Sequence, residues 1–374
     1  MARLIFLVSE DWFFRSHFLD RAIAARDAGF DVGVATRISG ACDSLRSLGL
    51  RVFPIEIDRS AIDPVHDLSL LRALVALYRR ERPDIVHHVA LKPILYGTLA
   101  ARFAGVRRVV NAPVGMGFVF SSSSLKARML RPMVSLALRM LLSPRGGHVI
   151  VENRDDLEAL LRNRMTVAGS VSLIRGAGVS LFAFQPHAEQ PGVPVVLLVA
   201  RMLRDKGVVE FVEAARSLRA AGLQARFLLV GAPDPGNPAS IDQSQLEAWR
   251  REGVVEWPGR RDDIAEMLAE AHIACLPSYR EGLPKALAEA AAAGRPIVTT
   301  DVPGCREVVR DGIEGLLVPP RDAMRLAGAL ERLLRDPALR LRMGRAARAR
   351  AVECFSTERI NGETLQVYRE LLES

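Results

Sequence analysis

Short apolar runs of strand length alternate with helical stretches along this chain, and the alternation comes in two series. The first reads RLIFLVS, DVGVAT, RVFPIE, DIVHH, RRVVNA, HVIVE and SVSLI; the second reads VPVVLLVA, ARFLLVG, VVEWPG, HIACLP, RPIVTT and EGLLVP. Runs that are apolar on consecutive residues belong to strands covered on both faces, and strands separated by helical patterns such as His17–Ala28 and Leu68–Arg82 pair in parallel. The fold class is therefore α/β, with parallel sheets. At 374 residues the chain exceeds one ordinary core and fits two domains. The polar FQPHAEQPGVP, Phe184–Pro194, interrupts the rhythm and is expected to be the linker. That divides the chain into residues 1–183, the linker 184–194, residues 195–355, and a terminal helix over 356–374 after a pause at Phe355-Ser356.

Several classes are set aside by what the chain lacks. No run of about 18 uninterrupted apolar residues predicts a transmembrane helix. The opening MARLIFLVSEDWFF has no small-residue cleavage site and reads as the first strand. Cys42, Cys275, Cys305 and Cys354 lie far apart in no ligand spacing, which suits a reducing cytoplasm and neither disulfides nor structural zinc. No Asp-x-Asp pair falls in a suitable loop, so no metal and no cofactor is expected. The net charge of +8 is unevenly spread: up to Phe182 there are 25 Lys and Arg against 16 Asp and Glu, and between Asp84 and Glu152 there is no acid at all. The first half should therefore face something anionic. No nucleic-acid module is present and aromatics for base stacking are sparse, so a phospholipid surface or a lipid-linked phosphate fits better than nucleic acid.

The most informative segment is REGLPKALAEAAAAGRPIVTTDVPG, Arg280–Gly304. It follows the buried run AHIACLP. Pro284 suits the first turn of a helix and Gly294 the residue after its end. Glu281 thus falls in the loop above the carboxyl end of a strand, with Gly282 and Leu283 leading into the helix, and Glu289 lies inside that helix. In an open parallel sheet ligands bind in that crevice, and helix amides there attract phosphate. One carboxylate can accept hydrogen bonds from sugar hydroxyls, the other from a ribose.

This layout resembles the glutamate pair of the retaining glycosyltransferases of family 4, which have the GT-B fold: two Rossmann-like domains facing across a cleft, the last helix crossing back to the first. The resemblance covers nearly the whole chain and is strongest from Val195 to Phe355. It implies that Arg201 and Lys206, beside Gly207 in VARMLRDKGVVEFVEAA, neutralise the donor diphosphate; by itself such a loop reads equally as a solvated turn. It also implies that Gly259 folds backbone round the nucleotide base, with Arg260 either lining that pocket or facing water. Asp262 and Asp263 read as a helix N-cap pair.

In the first half the family's glycine-rich loop is replaced by VSEDWFFRSHF, which has no glycine. That departure also argues against a dinucleotide-binding dehydrogenase. The DWFFRSH segment resembles the branch that builds capsular polysaccharide and lipid-linked glycans. Trp12 and Phe13 there either contact the acceptor's sugar or lipid, or plug the core. DIVHHVALKPILYG and VVNAPVGMGFVF match the same branch. They nominate His88, ahead of His87, as the imidazole at the donor sugar, Lys92 for an acceptor phosphate, and Asn111, Gly115 and Gly117 for close approach to the acceptor. LKARMLRPMVSLALRMLL, Leu125–Leu142, places Arg128, Arg131 and Arg139 on one stripe. It is either a basic amphipathic helix on an anionic membrane or a buried domain helix.

The resemblance implies metal-independent transfer of a sugar, an N-acetylhexosamine from a uridine nucleotide, to a polyprenyl-diphosphate-linked saccharide in surface polysaccharide biosynthesis. A cytoplasmic location, peripheral on the inner membrane face, goes with it. Glu281, His88, Arg201 and Lys206 carry the chemistry in that reading. A GT-B sugar-nucleotide epimerase and a non-catalytic nucleotide-sugar-binding partner remain open alternatives.

Overall fold

The computed structural model describes residues 1–40, 42–57, 63–114, 136, 139–142 and 146–373. Gly115, Gly117, Arg128 and Arg131 lie outside the described residues, as does most of Leu125–Leu142. The described residues divide into two compact units, one of Met1–Ala177 with Glu358–Ser374 and one of Gly178–Thr357.

The first unit holds a sheet of seven parallel strands: β1 (Arg3–Glu10), β2 (Asp31–Arg37), β3 (Arg51–Pro54), β4 (Ile85–Val89), β5 (Arg108–Ala112), β6 (Gly147–Val151) and β7 (Val171–Leu173). Their order is β3-β2-β1-β4-β5-β6-β7. The second unit holds six: β8 (Val195–Val199), β9 (Arg226–Val230), β10 (Glu256–Gly259), β11 (Ile273–Leu276), β12 (Ile297–Thr300) and β13 (Gly315–Val318), in the order β10-β9-β8-β11-β12-β13. Both are doubly wound. The direction of winding reverses between β1 and β4 in one unit and between β8 and β11 in the other, and such a switch point is where open α/β sheets bind ligands.

The central strands are mostly apolar because both faces are covered, whereas the edge strands β3, β7 and β10 are only partly buried. Leu4, Phe6 and Val8 of β1 enter one core cluster and Ile5 and Leu7 another. In β8, Val196 and Leu198 pack to one side and Leu197 to the other. Every expected strand is present. The terminal helix Thr357–Glu373 belongs with the first unit, where Ile360, Val367, Tyr368 and Leu371 join the cluster around Phe6.

Two expectations need correction. Phe184–Pro194 is not a free linker: Arg348 donates to Phe184 O at 2.8 Å, Arg295 to His187 O at 3.0 Å, and Arg340 pairs with Glu189 at 2.7 Å. These arginines satisfy the segment's backbone and charge within the second unit, so the division falls earlier, after Ala177. The segment after β1 is not an open loop but the helix Asp11–His17, which starts directly beyond Glu10. Asp11 is buried there and accepts hydrogen bonds from the Ser39 amide at 2.8 Å and from its hydroxyl.

Candidate active site

The switch point of the second unit brings two loops together. The loop after β8 contains the 3₁₀ turn Arg204–Lys206 and leads through Gly207 into helix Val208–Ala220. The loop after β11 carries Glu281 and leads into helix Lys285–Ala292, with Pro284 at its cap position. Between them the Lys206 ammonium meets the Glu281 carboxylate at 2.5 Å, both side chains mostly buried. The Ser278 hydroxyl donates to Asp205 O at 3.0 Å and the Tyr279 amide to the same oxygen at 2.9 Å. Gly207 has φ +71, and a Cβ there would lie 2.0 Å from Pro277 O. Only a glycine lets the loops close this far.

Glu281 has a second glycine behind it. Gly304 has φ +77, and a Cβ on it would lie 2.4 Å from Gly282 O and 2.8 Å from Glu281 O. This glycine sets the backbone position of the carboxylate. Leu283 is buried in the core below. Glu289 sits in the helix with its carboxylate 3.6 Å from Lys285 Nζ. Burial raises its pKa above the ordinary carboxyl value, against the opposing pull of Lys285. Nearby Cys305 is buried, which pushes its thiol up to about 12 and leaves it inert.

Arg201 follows β8 and pairs with Asp234 at 2.6 Å. Asp234 belongs to the loop after β9. That loop is tied to the Arg201 loop by hydrogen bonds from Met202 N to Ala232 O at 2.9 Å and from Arg204 N to Ala239 O at 2.8 Å. Nothing in the sequence around Asp234 marks it as Arg201's partner, because the contact joins two strands' loops that only the sheet order makes neighbours. Gly259 ends β10 at φ +79 and accepts from Gly231 N at 2.8 Å. Arg260 is largely exposed and makes a loose 3.6 Å pair with Asp262. Asp263 makes no capping hydrogen bond to its helix, since Arg261 binds its carboxylate instead.

Several nominees of the first half do not reach a ligand surface. His88 is fully buried, Nε2 at 3.1 Å from the Tyr78 hydroxyl and Nδ1 at 3.0 Å from Asn111 Oδ1. Asn111 is equally buried, and its amide nitrogen donates to Leu141 O and Leu142 O, each at 3.0 Å. The amide oxygen must then accept, so Nδ1 of His88 is the protonated nitrogen and Nε2 accepts from Tyr78. Burial lowers the His88 pKa to about 4, with the Asn111 hydrogen bond opposing. His88 and Asn111 are therefore a satisfied core network, not a sugar-binding pair. Gly97 closes over the ring, its missing Cβ leaving room for His88 Nε2. His87 faces the other way, stacked on Phe6 and 2.6 Å from the Tyr368 hydroxyl of the terminal helix.

Lys92 is held as well, its ammonium 2.7 Å from Asp67, whose other oxygen accepts from Tyr96 at 2.8 Å. Its charge is thus met inside the first unit. It follows Ala90, which sits at φ +73 and ψ 167, a region that only glycine visits freely. Trp12 is 39% exposed on the helix after β1, and Phe13 stacks on His17 with ring centroids 4.3 Å apart. Trp12 is the more exposed of the two, and Phe13 is half-buried. Arg139 donates to Asn163 O at 2.8 Å, while Leu136 and Met140 beside it are exposed.

Among the described residues no three His, Cys, Asp or Glu side chains converge as metal ligands. The chemistry on offer is a paired cation and carboxylate at one strand switch, a second carboxylate held in an apolar helix, and a second cation on the same loop as the first. That set suits an anionic, hydroxyl-rich ligand.

Comparison with known proteins agrees. A family model described as glycosyl transferases group 1 matches residues 180–350, and one described as glycosyl transferase 4-like matches residues 3–142. The N,N'-diacetylbacillosaminyl-diphospho-undecaprenol alpha-1,3-N-acetylgalactosaminyltransferase of Campylobacter jejuni is 30% identical over 322 residues, 83% of each chain. The UDP-Gal:alpha-D-GlcNAc-diphosphoundecaprenol alpha-1,3-galactosyltransferase of Escherichia coli is 26% identical over 341 residues, 87% of this chain and 86% of that one. Among solved structures, sucrose-phosphate synthase from Thermosynechococcus elongatus superposes with a TM-score of 0.79 at 25% identity over all of both chains.

Proposed function

This chain belongs to the group 1 glycosyl transferases, the retaining family 4 with the GT-B fold, and is a glycosyltransferase; from that premise we propose that it moves an N-acetylhexosamine from a uridine-diphosphate donor to a polyprenyl-diphosphate-linked saccharide. The observation that carries this reading is the Lys206–Glu281 pair at the switch between β8 and β11. An ammonium has three protons to give, so Lys206 can hold Glu281 and still donate to a phosphate oxygen. The second Glu281 oxygen accepts from a sugar hydroxyl and orients the ring. The bond from the anomeric carbon to the diphosphate breaks as negative charge gathers on the departing oxygen, where Lys206 and Arg201 lie within one loop. The acceptor hydroxyl oxygen then bonds to the anomeric carbon on the same face and its proton passes to the departing phosphate, so the configuration is retained.

The substrate classes are supported by the names of the relatives, two of which act on diphospho-undecaprenol-linked sugars. Two protein cations close to the expected diphosphate support transfer without a divalent metal. Activity that persists in excess EDTA would agree, and loss restored by magnesium would reject that part. The test of the whole is to incubate the chain with a panel of uridine nucleotide sugars and an undecaprenyl-diphosphate-linked hexosamine. An α-linked disaccharide from an N-acetylhexosamine donor is expected; conversion of donor without acceptor would point to an epimerase instead.

No helix among the described residues is long and apolar enough to cross a membrane. Peripheral binding to an anionic bilayer on the cytoplasmic side is the reading supported by the basic excess before Phe182 and by exposed Leu136 and Met140 beside Arg139. Failure to pellet with anionic liposomes at low salt would end it.

A further inference from the structure

Beyond the groups assigned to the donor, one buried carboxylate stands next to the site with one of its two oxygens unmet among the described residues. Glu210 lies in the first turn of helix Val208–Ala220 and is 9% exposed. One of its oxygens accepts from the Tyr279 hydroxyl; the other, Oε2, is buried with no hydrogen-bond partner among the described residues. Leaving a buried carboxylate oxygen unmet is costly, and a leucine of similar volume would pack there without that cost. Nothing in the core cluster of this helix, built from Val208, Phe211, Val212 and Ala215, requires an acid.

The Tyr279 it grips ties the two loops of the site together. Its amide donates to Asp205 O, one residue before Lys206, and its chain continues through Arg280 to Glu281. The ring is also covered by the Arg321 guanidinium, 4.6 Å from the centroid. Arg321 reaches it from a left-handed backbone at φ +62, strain that a non-glycine residue adopts only when its surroundings enforce it. Tyr279 is therefore held at its amide, its face and its hydroxyl, and the hydroxyl contact alone comes from an acid placed at a cost.

We propose that Glu210 is a positioning residue for sugar transfer: through the Tyr279 hydroxyl it fixes the loop after β11, and thereby the distance between Lys206 and Glu281. This rests on the reading of that pair as the donor site. Displacements of this kind act on the rate of the chemical step more than on binding, because the pair must meet the charge that develops during departure.

The test uses Glu210→Leu, Tyr279→Phe, the two combined, and Glu210→Gln in the full chain. Each is assayed for transfer from UDP-N-acetylgalactosamine to undecaprenyl-diphosphate-linked hexosamine, for thermal midpoint, and by crystallography for the Lys206–Glu281 distance. Glu210→Leu should lower kcat by roughly tenfold or more with a smaller change in the donor KM. The combined variant should be no slower than either single change, since both remove the same hydrogen bond. It should also melt at or above the wild-type temperature, because the unmet carboxylate is gone. Glu210→Gln, whose amide oxygen can still accept from Tyr279, should recover most of the rate.

A merely structural role for Glu210 would lower stability and rate together, and that result overturns the proposal. So does a Glu210→Leu variant that keeps wild-type kcat, or a crystal of it with the Lys206–Glu281 contact unchanged. A wild-type chain that transfers no sugar would instead reject the substrate reading, and the crystallographic distance would still decide the positioning role.

Discussion

Lys206 Nζ lies 2.5 Å from Glu281 Oε1, a contact between residues 75 positions apart that joins the loops after β8 and β11. Each partner is assigned a task at the departing diphosphate or the sugar, so neither should be replaceable. Glu281→Ala is expected to abolish measurable transfer, with kcat down by roughly 10²–10³-fold, the scale of losing one electrostatic group at a developing charge. Lys206→Ala should fall as far and also weaken UDP binding, read by calorimetry. Wild-type turnover by Glu281→Ala would refute the site.

Glu289 gives a pH signature. Burial holds its carboxyl pKa above the usual value, so the folded chain keeps this proton to higher pH than the unfolded chain does. The group's stabilising contribution is therefore present below the unfolded pKa and fades as pH rises through the raised folded one. Its assigned role, accepting from ribose hydroxyls, belongs to the ionised form. UDP affinity should then drop as pH falls through the raised pKa, and Glu289→Gln should bind more weakly at neutral pH with that dependence flattened. A wild-type affinity independent of pH between about 4 and 7, a range that brackets the ordinary carboxyl value, would remove Glu289 from the ribose.

His88 should behave as a core residue. His88→Ala removes a ring that satisfies Tyr78 and Asn111 and opens a cavity beneath Gly97. The combined loss is about 3–5 kcal/mol on the scale of large-to-small core changes, measurable by urea unfolding. The folded pKa of about 4 lies below the ordinary 6.5, so the unfolded chain binds the extra proton between these values. Stability from this group is whole above pH 6.5 and lost as pH falls toward 4. A folded His88→Gln enzyme with wild-type stability but no transfer would restore the catalytic reading.

Gly304→Ala tests the backing of Glu281. The added methyl would overlap Gly282 O at 2.4 Å, at a φ of +77 that disfavours alanine. A destabilisation of about 1–3 kcal/mol is expected together with a kcat loss exceeding that of the same change at open Gly312. Gly312 has the same left-handed φ but nothing near its missing Cβ, so it separates backbone strain from displacement of Glu281.

All thirteen strands described here were legible as strand-length runs, and the central ones most plainly, because a strand covered on both faces must be apolar whatever its neighbours are. The loop positions of Lys206 and Glu281 were legible for a similar reason: Gly207, Pro284 and Gly294 mark element boundaries locally. What each side chain meets was not local information. His87 and His88 looked like residues emerging from a strand end, but β4 runs on to Val89 and alternation turns one ring to each covered face. Lys92 and Arg201 read as cations waiting for phosphate; the packing of two helices supplied Asp67 to the first, and sheet order supplied Asp234 to the second. Periodicity and turn chemistry act within a few residues and so determined the elements. Partners brought together across loops arise only when the winding of each sheet places distant strand ends side by side, and that step alone decided which charges are answered by protein and which residues form the site.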